Sequence, residues 1–272
     1  MTRRRLLAGG AAAAVTALAG CSGATPFVGQ RLEETTTLSV ETLSAVTAEV
    51  QTGDVTVETA DRDDVRLEIV RESSSADVDV SKLELRTERS DGTLSLRSEW
   101  TGGDTTFGGR PSMDLTLTVP DSLAVRHLES QTGDVTATDT SGDLRAETQT
   151  GDVDVDGVGG TVVAVAQTGD VSVTEPGALG GAETQTGDAT VDVPALDGDC
   201  EVSCQTGDVD VAVSADLDAD LVVETGTGDA SVSGLDLVDA TREDDRVTGR
   251  LGEGGPDLTV ESQTGDATVE PL

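Results

Sequence analysis

The chain has 272 residues, with 53 aspartates and glutamates against 17 basic residues and a formal net charge of −36. Nothing basic is clustered to neutralise phosphates, which argues against nucleic acid as a partner. Sixteen of the basic residues are arginines and Lys82 is the only lysine, a composition that resembles the proteome of an extreme halophile. Such a charge repels itself in dilute salt and is screened at 1 M, where the Debye length falls to about 3 Å. Acidic chains poor in aromatics are often disordered, but here the apolar residues are strictly patterned, which favours a folded chain.

In chain order, residues Met1–Gly20 read as a processing signal rather than as fold. Thr2-Arg3-Arg4-Arg5-Leu6-Leu7 resembles a twin-arginine export signal, and the Ala-rich run from Leu6 to Gly20 is short of the roughly 20 apolar residues a membrane span needs. Leu18-Ala19-Gly20-Cys21 then looks like a lipobox, with Cys21 the lipidated new N-terminus. A plain secretory signal is the alternative. Removing three arginines takes the formal charge from −36 to −36 − 3 = −39. The domain reading is a signal peptide over 1–20 and a lipid-anchored tether over 21–36. A strand-rich part follows over 37–125, and a regular repeat with a C-terminal cap over 126–272.

Between Thr37 and Val125 the alternation of apolar and polar residues predicts strands at Val46–Val50, Val55–Glu58, Val65–Val70, Leu83–Thr87, Leu94–Ser98 and Leu115–Val119. Gly102 to Pro111 is glycine-rich and predicts a loop bordered by Trp100 and Phe107. One aromatic pinning that loop to a sheet edge is the simpler reading; an exposed binding pair is the other. No helix is predicted after the signal.

The organising feature is a repeated phrase, Gln-Thr-Gly-Asp, at Gln131–Asp134, Gln149–Asp152, Gln167–Asp170, Gln185–Asp188, Gln205–Asp208 and Gln263–Asp266. An early copy stands at Gln51–Asp54 and a variant at Gly226–Asp229. Repetition at about 20 residues marks a repeat architecture. Aligned on the phrase, inward columns emerge at five, three and one residues before it, for example Leu144, Ala146 and Thr148, and after it at Val153 and Val155. Arg126 and Gly180 interrupt the first column. Each copy is thus predicted to be a turn between two short strands. The fold class expected is all-β, a β-solenoid or β-roll of coils of about 18–21 residues stacked at about 4.8 Å. The 37-residue interval between the last two phrases predicts a loop, Thr241–Gly255, and a capping coil.

The turns are expected at Gly53-Asp54, Gly133-Asp134, Gly151-Asp152, Gly169-Asp170, Gly187-Asp188, Gly207-Asp208, Gly228-Asp229 and Gly265-Asp266. Glycine supplies positive φ, aspartate bonds to nearby N–H groups, and Gln and Thr in register offer side-chain ladders. The rival reading is Ca²⁺ on the column of aspartates, whose oxygens suit a hard cation. The glycine pattern of the calcium β-roll is missing, and no metal residue is assigned.

Cys200 and Cys204 stand two pleats apart on one strand, about 13 Å if extended, too far for a disulfide, and read as buried thiols. His127 is the only histidine, so no nucleophile–base pair is visible. No catalytic residue is assigned.

With the repeat aligned, the chain resembles the "putative adhesin" family of unknown function from bacterial and archaeal envelopes. The resemblance is carried by Leu115–Pro120 followed by Leu123-Ala124-Val125, then the Gly-Asp-Val turns, and Leu258-Thr259-Val260 before Gly265–Val269. It implies a β-solenoid and an envelope location, and it brings no catalytic or ligand-binding residues. The expectation is a non-catalytic structural or adhesin-like module on the outer face of the cytoplasmic membrane, with an envelope protein or glycan as partner. The alternatives are a Ca²⁺-binding version of it and a polysaccharide-acting β-helix enzyme.

Overall fold

The computed structural model describes residues 29–103 and 110–272. The signal segment, Cys21 and Phe107 lie outside the described residues. The described part of the chain is largely all-β, built as two stacked mixed sheets of 11 and 12 strands. Among the described residues the one helical piece is a 3-10 turn at Val80–Lys82.

Strands β1 (Gln30–Ser39), β2 (Ala45–Val50), β3 (Val55–Thr59), β4 (Asp64–Ser73), β5 (Leu83–Ser90), β6 (Thr93–Trp100) and β7 (Ser112–Val119) form the first part. Strand therefore begins at Gln30, inside the segment expected to be tether up to residue 36. Leu32, Thr35 and Leu38 lie along a ten-residue antiparallel register with β4, which the exposed, acidic sequence of β1 did not advertise.

The repeat region contributes a strand to the 12-stranded sheet before each Gln-Thr-Gly-Asp phrase and one to the 11-stranded sheet after it. These pairs are β8 (Ala124–Ser130) and β9 (Val135–Thr138), β10 (Leu144–Thr150) and β11 (Val153–Asp156), β12 (Thr161–Thr168) and β13 (Val171–Thr174). They continue as β14 (Ala178–Thr186) and β15 (Ala189–Val193), then β16 (Cys200–Thr206) and β17 (Val209–Val213). Next come β18 (Ala219–Thr225) and β19 (Ala230–Val232), a hairpin of β20 (Val238–Arg242) and β21 (Arg246–Leu251), and finally β22 (Asp257–Ser262) and β23 (Ala267–Pro271). Successive pairs stack in parallel, Val153 beside Val135 and Val171, Ala146 beside Leu128 and Ala164.

Alternation places every second side chain between the sheets. Val153 and Val155 from one sheet meet Leu144, Ala146 and the buried hydroxyl residue Thr148 from the other. Each Val or Leu removed from water contributes roughly 1.5–3 kcal/mol, and the small residue at the middle position lets the sheets approach. Arg126 and Gly180 are not core positions. Each is the extra residue of a β-bulge, so that Val46 pairs with Val125 while Thr47 pairs with His127, and Val162 pairs with Leu179 while Val163 pairs with Gly181. Val125 and Leu179 fill the core in their place, and the inward column is continuous.

Stacking order differs from chain order at both ends. The β6–β7 pair lies outside β2–β3, and the last pair, β22–β23, is inserted between β16–β17 and β18–β19. Antiparallel strands close the ends: β1 and β4 beside β7, β5 beside β6, and the β20–β21 hairpin beside β18. That hairpin occupies most of the interval expected to be a loop at Thr241–Gly255. Its first strand is exposed along its whole length and therefore carries no inward pattern.

Ending the chain after Gly255 removes β22 and β23 and leaves the strands on either side of them unpaired. The expected result is a loss of more than about 4 kcal/mol, or of cooperative unfolding altogether, in denaturant melts at high salt.

Candidate functional site: the glycine–aspartate column

The repeated phrase forms one continuous column of corners along the stack. At every corner but the terminal one at Gly228, the Gly N–H and the following Val or Ala N–H donate to carbonyls of the next level, as Gly133 N to Thr150 O at 2.8 Å and Val135 N to Asp152 O at 2.9 Å. The Asp N–H between them points the other way, where no carbonyl receives it. The carboxylate of the level below fills that gap. Asp134 N donates to Asp54 Oδ1 at 2.9 Å, Asp152 N to Asp134 Oδ1 at 2.9 Å, and Asp170 N to Asp152 Oδ1 at 2.8 Å. The ladder continues through Asp188, Asp208 and Asp266 to Asp229, each bond 2.8–2.9 Å.

Its lowest rung is Asp114, which accepts from Asp54 N at 3.2 Å although no Gln-Thr-Gly precedes it. The sequence around Asp114 carries no repeat signal; only the pairing of β7 with β3 brings it into the column. The aspartates therefore bond from level to level, not within their own turn. Among the described residues the repeat glutamines and threonines form no side-chain ladder with their counterparts, so the expected Gln and Thr ladders are replaced by the aspartate one.

Glycine is required because the corners touch. A Cβ on Gly169 would sit 1.8 Å from the carbonyl oxygen of Gly151, and its φ is +137°. The same contact recurs at Gly53, Gly133, Gly151, Gly187, Gly207, Gly228 and Gly265. Gly53 rests on the carbonyl of Met113, and Met113, with no such corner beneath it, keeps a side chain.

A second column runs beside the first. In five of the eight copies the residue preceding the phrase is a hydroxyl that donates to the glycine carbonyl one level down: Ser130 Oγ to Gly53, Thr148 Oγ1 to Gly133, Thr184 Oγ1 to Gly169, Ser262 Oγ to Gly207 and Thr225 Oγ1 to Gly265, all 2.8–2.9 Å. Val50, before the first copy, has no donor and no glycine corner beneath it. At Gly187 the donor is the thiol of Cys204, at 3.1 Å. At Gly151 the facing residue is Ala166, which has no donor.

Both cysteines of the described region are free and buried. Burial pushes the Cys200 thiol up to about 12, and burial is also the main cause raising Cys204. Neither is a reactive thiolate. Desolvation raises Asp114, Asp154 and Asp210, and neighbouring aspartates add to it: Asp54 for Asp114, Asp152 for Asp154 and Asp208 for Asp210.

The outer face of the 12-stranded sheet carries a shallow groove of about 300 Å³ where the bulge at Gly180 and Gly181 removes side-chain bulk. Val163 and Val165 line it together with Arg145, Glu183, Asp199 and Glu201. Trp100 does not line it: its ring packs over Gly102, and Nε1 donates to Gly103 O at 3.2 Å, holding the start of the loop.

The family model that matches the chain is Toastrack DUF4097, over residues 112–270, more than half the length. The chain belongs to the Toastrack DUF4097 family. The stack of this Toastrack chain extends beyond the match, since β2 and β3 continue both sheets in register. Similar solved structures include a "putative adhesin" from Bacteroides fragilis, at 14% identity over 89% of this chain and 97% of that one, TM-score 0.39. Another is a "putative cell adhesion protein" from Clostridium sporogenes, at 10% identity over 89% and 100%, TM-score 0.38. A third is a "putative lipid binding protein" from Parabacteroides distasonis, at 12% identity over 88% and 96%, TM-score 0.35. Comparison with curated proteins finds no match.

The column is testable residue by residue. Gly169→Ala is expected to cost more than about 3 kcal/mol, since the backbone and the carbonyl of Gly151 both resist it. Asp170→Ala strips the acceptor from Asp188 N–H and is expected to cost about 1–3 kcal/mol, whereas Asp170→Asn keeps an acceptor without the charge and is expected to stabilise at low salt. Ala166→Ser supplies the missing donor and is expected to add about 1 kcal/mol in thermal melts.

The carboxyl of Asp154 holds its proton to higher pH in the native chain than in the unfolded one. Its contribution is therefore favourable at low pH and lost as pH rises through the native pKa. Asp154→Asn should raise stability at neutral pH and flatten that part of the pH profile.

Proposed function

We propose that this protein is an exported, lipid-anchored β-solenoid that acts as a non-catalytic interaction module on the outer face of the cytoplasmic membrane. The observation that carries the reading is where the polar groups of the repeat are used. The aspartates and the hydroxyls are spent on holding level to level, which leaves two long outer faces whose side chains have no internal task. A rigid scaffold that offers faces rather than a convergent pocket suits recognition of an extended partner. The lone His127 faces Glu129 rather than a nucleophile, in keeping with a non-catalytic role.

In this reading Met1–Gly20 is a twin-arginine signal, Cys21 carries the lipid, and a tether shorter than that drawn from sequence leads to β1. The two-sheet stack is one solenoid whose irregular first part and regular second part share the same corners. A partner, an envelope protein or a glycan, would meet the outer face of the 12-stranded sheet at the groove over Val163 and Val165. The lipid-free protein should capture such a partner from surface extract in high salt, and Val163→Gln with Val165→Gln should abolish capture. Equal capture by the variant would move the contact elsewhere, and no capture at all would overturn the interaction reading. Cys21→Ser is expected to shift the protein from the membrane fraction to the medium.

The net charge of −36 supports a salt-rich setting. Melting temperature is expected to rise steeply with KCl up to molar concentrations and to fall as the salt is diluted. A flat profile would contradict the halophilic reading.

A calcium-bound form is the second reading, favoured by the single file of aspartates from Asp114 to Asp229, each with at least one carboxylate oxygen outside the ladder. Calcium at constant ionic strength should then raise the melting temperature. An unchanged melting temperature removes this reading.

A further inference from the structure

Among the described residues, three metal-ligating side chains converge at one place, and it is not the aspartate column. His127, Glu129 and Glu147 bring one ring nitrogen and two carboxylate oxygens within 4.8 Å of one another, all half-buried on the outer face of the 12-stranded sheet. Topology explains the meeting. His127 and Glu129 are two residues apart on β8 and so share a face, and Glu147 on β10 is the direct cross-strand partner of Glu129. The bulge at Arg126 immediately precedes the pair: it keeps Val125 in the core while His127, opposite Thr47, holds the outward parity of Glu129.

One edge of the cluster already has the length a coordination polyhedron requires. His127 Nε2 lies 3.3 Å from Glu129 Oε2. A tetrahedron with bonds of about 2.05 Å to nitrogen and oxygen has edges of about 3.3 Å. Glutamates repeat along this row, Glu49 beside Glu129 beside Glu147, and each like-charged neighbour raises the need for a cation. Glu49 is answered by Arg97 at 2.5 Å, and Glu147 by Arg145, which stands directly opposite His127. Among the described residues Glu129 is paired with the imidazole alone.

We propose that His127, Glu129 and Glu147 form a binding site for a divalent first-row transition metal of the zinc type. An imidazole with two carboxylates matches zinc, cobalt or nickel, and it disfavours calcium and magnesium, which select oxygen alone. Glu147 turns from Arg145 toward the metal, and water completes the shell. The site adjoins the groove over Val163 and Val165 on the same face, since Glu147 is the direct cross-strand partner of Val165 and Arg145 lines the groove, so that a bound ion adds positive charge at its edge.

The experiment is a zinc titration of the purified protein by calorimetry and by NMR. The background is about 1 M sodium nitrate, which screens charge without complexing zinc as chloride does. Millimolar calcium is included to occupy sites made of carboxylates alone. Because His127 is the only histidine in the chain, its ring resonances are a unique reporter. The expected result is one zinc per chain, saturable in the presence of calcium, with the ring resonances shifting in step with the heat.

His127→Gln, Glu129→Gln and Glu147→Gln should each weaken binding by at least about tenfold, while Arg145→Gln, which removes the competing guanidinium, should strengthen it. Unchanged thermal melts without zinc establish that these half-buried variants fold. Binding unaltered by His127→Gln, ring resonances that do not move, or several weak sites erased by calcium would each overturn the proposal.

Discussion

The structure depends on how closely one corner can sit on the next. At the Gly-Asp turn the backbone of one level contacts the backbone of the level below with no space for a Cβ. That approach is what lets the two sheets keep their parallel ladders in register around the bend. It also turns an aspartate N–H away from any carbonyl, and the carboxylate below is the group that meets it. A charge-assisted bond of this kind contributes about 1.5–3 kcal/mol, against about 1 kcal/mol of repulsion per like-charged neighbour in water. The balance favours the column, and salt shifts it further by screening only the repulsion. An acidic file that looks unstable on charge alone is thus held by the peptide groups it satisfies.

The interior follows from the same spacing. Levels as close as strands in a sheet leave room between the sheets for Val, Ala and Leu, and almost none for aromatic rings. The hydroxyl column beside the glycines shows how fully the corner is satisfied. Ser, Thr and even the Cys204 thiol occupy equivalent places and reach the same carbonyl, so three residue types with little in common share one function. The pattern lapses at Ala166 and at Val50, neither of which carries a donor.

Much of this was legible in the sequence. Gln-Thr-Gly-Asp marked corners, and the alternating columns marked which side chains face inward. What was hidden has physical causes. Asp114 belongs to the ladder but follows Met113, because the lowest corner has no neighbour below it to exclude a side chain. Arg126 and Gly180 looked like faults in the core and are bulges, since counting residues back from the corner assumes a register that one extra residue breaks. The order of stacking was unreadable for a deeper reason: near-identical corners fit one another in any sequence, so repetition specifies the contact and leaves the neighbour open. The hairpin at Val238–Leu251 escaped notice because an exposed edge strand has no inward pattern to display. His127 and Glu147 are 20 residues apart in the chain, and only the stacking register makes them neighbours.

The insertion of β22–β23 between two earlier pairs has a mechanical consequence. If β22–β23 lay at the end of the stack, a pull on that segment would peel it away one hydrogen bond at a time. Here the same pull meets a strand pair bonded on both flanks, to β16–β17 on one side and β18–β19 on the other. Both ladders must be sheared together before the segment moves. The β22–β23 segment is clamped inside the stack, and tension applied to it is resisted by the collective strength of four ladders rather than by a single unzipping bond.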